Sequence, residues 1–168
     1  MMCAQRCGGS TIEADRPDLD AGRALFELAP RLTRLENAVL RDLDPPLTFR
    51  QFRLLERVDQ GHTTVTQLGT HATITLPAIS ESVDGLVTKG LLVRTANQRD
   101  RRESNLSLTA AGRRALERAT TLLGAMAEQS LVDVPLERRA TMARDLRTIT
   151  DEVTRALVSI RANKTRAE

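Results

Sequence analysis

The 168-residue chain has no tryptophan, no tyrosine and only 3 phenylalanines. Proteins that hold single-stranded nucleic acid stack bases on aromatic side chains, so that class is excluded for want of platforms. An aromatic-lined cofactor pocket is disfavoured on the same ground. Cys3 and Cys7 are the only cysteines. They cannot build a disulfide framework, and they sit in a Gly/Ser-containing stretch, residues 1–18, that reads as a mobile tail with exposed thiols. No apolar run approaches the roughly 18 residues of a membrane span, and none behind the first residues has the form of a signal-peptide core. A cytoplasmic protein without membrane contact is the expectation. Gly-rich phosphate loops, Gly-x-Ser-x-Gly, His-Glu-x-x-His and paired catalytic groups are all missing, so neither an enzyme nor a cofactor is expected. His62 and His71 have no cysteine or acid cluster at ligand spacing, which argues against a metal site. Charge of one sign is also scarce, since 25 Lys and Arg against 22 Asp and Glu leave a net charge of +3.

What remains is the balance of a globular protein, 40% apolar and 28% charged, with no internal repeat. Leu25, Leu28, Leu32, Leu35 and Val39 recur at helical spacing and predict a helix from about residue 19 to 43, stopped by Pro45-Pro46. Thr48-Phe49-Arg50-Gln51 and Thr64-Val65-Thr66-Gln67 each have the form of a capping box, in which a threonine and a glutamine three residues on satisfy each other's backbone donors. A short helix follows each. Thr75 is the next candidate cap, with Pro77 tolerated in the first turn of a helix that Gly90 ends. Residues 91–96 and 104–108 have strand character, joined by a charged hairpin tip over 97–103. Thr109 caps a helix to about residue 129. A last helix from about Leu136 carries Leu146, Ile149, Val153, Leu157 and Ile160 on one stripe and is expected to fray from Ala162.

Helix, short helix, helix and basic-tipped hairpin form the layout of a winged helix-turn-helix. The fold class expected is mainly α with a small β-hairpin wing, and with N- and C-terminal dimerisation helices. The residues sharpen this. Leu86-Val87-Thr88-Lys89-Gly90-Leu91-Leu92-Val93-Arg94, then Asp100-Arg101-Arg102, then Leu108-Thr109-Ala110-Ala111-Gly112 resemble, in order and spacing, the signature of the MarR family of bacterial transcriptional regulators. The resemblance implies that Arg102 enters a minor groove, with Asp100 orienting an arginine of the wing. Arg99 and Arg101 flank it and are candidates for phosphates. Residues 91–118 carry a net charge of +4, concentrated where such a wing needs it.

The helix after Thr75 departs from the family's habit, because it has no Arg or Lys before Lys89. Arginine-to-guanine readout is therefore absent. Thr75, Ser80, Ser82 and Lys89 are candidates for DNA contact, Ala78 for a thymine methyl, and Glu81 for a cytosine amine. Direct readout is expected to be weak, with wing and backbone contacts carrying more of the binding.

Apolar stripes on the terminal helices imply a homodimer, with residues 19–45 and 130–162 as the dimerisation region and 46–129 as the DNA-binding lobe with its long following helix. Such a dimer reads a pseudo-palindromic operator in double-stranded DNA. The resemblance further implies a repressor released by a small ligand; Arg31, Arg34, Arg53 and Arg57 are candidates for an anionic or phenolic effector. Two alternatives stay open: a winged-helix adaptor for proteins that has lost DNA binding, and a regulator sensing oxidants through Cys3 or Cys7.

Overall fold

A computed structural model of the chain describes residues 17–70, 75–96 and 104–167. Among the described residues, six helices and one hairpin follow in the order α1 (Pro17–Arg41), α2 (Phe49–Asp59), α3 (Val65–Thr70), α4 (Leu76–Thr88), β1 (Leu92–Ala96), β2 (Ser104–Leu108), α5 (Ala110–Ser130) and α6 (Leu136–Ala167). The tail segment 1–16, with Cys3 and Cys7, lies outside the described residues, as do His71 and the whole hairpin tip 97–103. The chain divides into two compact units, 1–36 and 37–168.

In the first unit α1 begins at Pro17, whose ring suits a first turn, and it runs through Pro30 without ending. Arg23 and Glu27 pair at 2.9 Å, and the Arg31 guanidinium donates to the Glu27 carbonyl. The expected stripe is present but unburied, with Leu28, Leu32 and Leu35 still 39–44% exposed. Phe26, off that stripe, is 81% exposed.

The second unit holds the core. Leu40 at the end of α1, Leu43 just past it, Phe52 and Leu55 of α2, Leu68 of α3, Ile79, Val83 and Leu86 of α4, and Leu106 and Leu108 of β2 are all buried together. Both capping boxes form as the sequence predicts: Thr48 Oγ1 accepts from the Gln51 N–H while Gln51 Oε1 accepts from the Thr48 N–H, and Thr64 does the same with Gln67. Each box fixes the direction in which its helix leaves the turn. Helices α2 and α4 both end at a glycine with positive φ, +94° at Gly61 and +69° at Gly90. At Gly90 the N–H donates to the Val87 carbonyl and the Leu91 N–H to the Leu86 carbonyl, the paired bonds of a Schellman turn.

The hairpin is antiparallel, with Leu92 opposite Leu108, Arg94 opposite Leu106 and Ala96 opposite Ser104. Its inner face is anchored by Leu92, Leu106 and Leu108, and the Leu106 N–H donates to the Thr63 carbonyl, tying β2 to the chain just before α3. The wing is thus fixed to the helix-turn-helix at its base. At the other end of the unit α6 stays helical to Ala167, where fraying was expected from Ala162.

Candidate nucleic-acid interface

Helix α4 turns one row to the core and the opposite row to solvent. Ile79, Val83 and Leu86 are fully buried, while Pro77, Glu81, Asp84 and Thr88, at steps of four, three and four, are all exposed. This outward row is what a helix lying in a groove would offer to bases. Its only two charges are acidic.

The candidate residues fall at different places around the helix. Thr75 occupies the N-cap position with extended backbone, but its side chain makes no capping bond and it is exposed. Ala78, Ser80 and Ser82 sit half-buried on the two flanks of the row, and the Ser82 hydroxyl donates to the Ala78 carbonyl at 2.8 Å. Lys89 lies past the far end, where Nζ donates to the Pro46 carbonyl (2.7 Å) and to Gln51 Oε1 (2.9 Å). Its ammonium therefore joins the end of α4 to the start of α2. Arg99, Asp100, Arg101 and Arg102 lie outside the described residues.

One contact in this interface was not foreseen. Arg94 on β1 reaches across to α4 and pairs with Asp84 at 2.7 Å. The residues are ten apart on different elements, so no local pattern announces the pair; only the return of the hairpin against α4 brings them together. Gln51 is similar, because its capping role was legible but its acceptance of Lys89, and the 3.0 Å approach of its Nε2 to where a Gly85 Cβ would stand, were not.

The arginines considered for an effector lie two in each unit, Arg31 and Arg34 in the first and Arg53 and Arg57 in the second. Arg53 pairs with Glu56 at 2.7 Å, and Arg57 donates to the Leu68 carbonyl at 2.9 Å, bracing α2 against α3. Arg34 is exposed on α1. An open cleft of about 390 Å³ between α2 and α5 is lined by Glu56, Asp59, Glu117, Leu116 and threonines, and another of about 490 Å³ between the starts of α2 and α4 by Asn37, Thr48, Arg50, Glu81 and neighbours. None of the four arginines lines either cleft.

Two short helices, the second with a free outer row, followed by an antiparallel hairpin bonded to the first turn of the motif, define a winged helix-turn-helix of the kind used by transcriptional regulators. Residues 46–103 match the model of the MarR family. Among solved structures it is similar to a mutant of MarR from E. coli, with 27% identity, a TM-score of 0.68, and coverage of 77% of this chain and 95% of the other. The same mutant complexed with operator DNA matches at 27% identity and a TM-score of 0.63, covering 79% and 95%. Streptococcus pneumoniae FabT in complex with DNA has the same fold, at 20% identity and a TM-score of 0.70 over 81% and 96%. No curated protein matches the chain in sequence. No helix among the described residues is long and apolar enough to cross a membrane.

Proposed function

We propose that the chain is a homodimeric repressor that binds a pseudo-palindromic operator in double-stranded DNA and is released by a small ligand. The observation that carries DNA binding is the presentation of α4: its outer row is exposed to solvent, its C-terminal end is fixed by Gly90 and Lys89, and the wing stands beside it. The 27% identical MarR mutant bound to operator DNA supports the same use of this lobe. Contact residues are Thr75, Ala78, Ser80, Glu81 and Ser82 in the major groove and Arg99, Arg101 and Arg102 from the wing, with Asp100 orienting them. Exposed stripes on α1 and α6 support the dimer, since a monomer would leave them in water. Repression, a cytoplasmic location and an anionic or phenolic effector rest on the family alone.

One observation favours a second reading, a winged-helix adaptor for proteins. The outward row of α4 carries two acids and no base, the opposite of what phosphate attraction requires. Fluorescence anisotropy of a labelled duplex from upstream of the chain's own gene, titrated at several salt concentrations beside a scrambled duplex, separates the two. Binding that exceeds the control and weakens with salt establishes the regulator; equal and negligible binding to both leaves the adaptor.

A further inference from the structure

The charges on the outer row of α4 are not equivalent. Asp84 is covered by Arg94 at 2.7 Å, whereas Glu81 has no ion pair or hydrogen-bond partner for its side chain among the described residues. Among the described residues Glu81 is thus the one uncommitted charge on the outer row of the helix. A carboxylate only accepts hydrogen bonds. In the major groove guanine offers N7 and O6, both acceptors, and thymine offers O4, another acceptor. Adenine has an amine, but its N7 acceptor lies beside it and repels a carboxylate placed between the two. Cytosine N4 is a donor flanked on its own base by the C5–H edge rather than by an acceptor, with the paired guanine's O6 on its other side.

We propose that Glu81 is the specificity-determining residue of this helix, selecting cytosine at one position of each half-site. The proposal rests on the reading of the chain as a DNA-binding regulator. Its consequence differs from that of a basic recognition helix. An arginine gains from any duplex through the phosphates, whereas Glu81 gains only where an amine meets it and is repelled elsewhere. The helix therefore lowers affinity for random DNA besides adding affinity for the right site. Neutralisation of Asp84 by Arg94 is part of the same arrangement, because a second bare carboxylate would extend the repulsion to the correct site as well.

The test is a selection of duplexes from a randomised pool by the full chain and by its Glu81→Ala and Glu81→Gln variants, followed by anisotropy on the selected sites. Glu81 is exposed and outside the core, and a thermal melt confirms that both variants fold. For the unaltered chain a cytosine is expected at one fixed position in each half-site. Replacing that C·G pair by T·A should weaken binding on the order of tenfold, the range of one good base contact. Glu81→Ala should lose this discrimination and bind an unselected duplex severalfold more tightly, while Glu81→Gln should move the preference to adenine, which a carboxamide can both donate to and accept from. Selected sites that Glu81→Ala binds with unchanged discrimination would overturn the proposal and leave DNA binding intact. No enrichment by the unaltered chain, with no salt-dependent binding, would remove the underlying reading too.

Discussion

Gly112, in the first turn of α5, packs so closely on the backbone of Leu91 that a Cβ at position 112 would stand 2.0 Å from the Leu91 carbonyl oxygen. Thr109 completes the junction. Its hydroxyl donates to the Gly90 carbonyl at 2.7 Å and accepts from the Gly112 N–H at 2.9 Å, while its own N–H donates to the Leu91 carbonyl at 3.1 Å. The Lys-Gly-Leu and Leu-Thr-x-x-Gly stretches of the sequence are thus two halves of one contact, where the end of α4, the start of the wing and the start of α5 meet.

Gly112→Ala is accordingly expected to destabilise the protein by about 3 kcal/mol, because the obstacle is backbone that cannot swing aside. Urea unfolding with an unchanged m value is the measurement. Gly124→Ala, in the same helix with nothing within 4 Å, is the control and should be neutral or stabilising by up to about 1 kcal/mol. Equal effects of the two would mean that the Leu91 contact is slack in solution.

The pair Arg94–Asp84 makes a prediction that a simple phosphate contact does not. Arg94→Ala should weaken duplex binding on the order of tenfold, since it bares a second carboxylate on the outer row of α4. Asp84→Asn in that background should restore most of the loss. If Arg94 instead works by touching phosphate, the second substitution restores nothing, and anisotropy titrations on the four proteins distinguish the two directly.

Much of this fold is written locally, and that is why it was legible. The capping threonines at 48, 64 and 109 and the glycine at 90 each act within a few residues, and each forms as the sequence predicts. What escaped the sequence is what the hairpin and α2 bring from elsewhere: Asp84 to Arg94, Lys89 to Gln51 and Pro46, Leu106 to Thr63. Charge patterning marked Arg53 and Arg57 as candidates for an effector, but one faces Glu56 and the other the Leu68 carbonyl, partners that charge counting does not see or does not weigh.

Lys89 shows the same lesson in testable form. With its ammonium bonded to Pro46 and Gln51, Lys89→Met should cost about 1 kcal/mol of stability and leave the salt dependence of DNA binding unchanged. A lysine that contacts phosphate behaves in the opposite way, reducing the slope of log affinity against log salt by about one with little change in unfolding. Thermal melts and salt titrations of the one variant therefore decide between the two placements.

The apolar stripes at the chain's two ends carry the final prediction. Val153 and Leu157 are 48% and 44% exposed on α6, one turn apart on the same face, and Ile149 and Ile160 extend that face on either side. Placing a charge there costs nothing in a solvated helix but several kcal/mol if the face is buried against a second copy. Val153→Glu with Leu157→Glu should thus leave the unfolding of the 37–168 core nearly unchanged while converting a dimer to a monomer in sedimentation equilibrium. Operator affinity should fall far more steeply than affinity for a single half-site, because the monomer loses the second recognition helix but keeps the first intact. A doubly substituted chain that sediments as the unaltered one does would place the dimer contact elsewhere, and the exposed stripe of α1 would be the next face to charge.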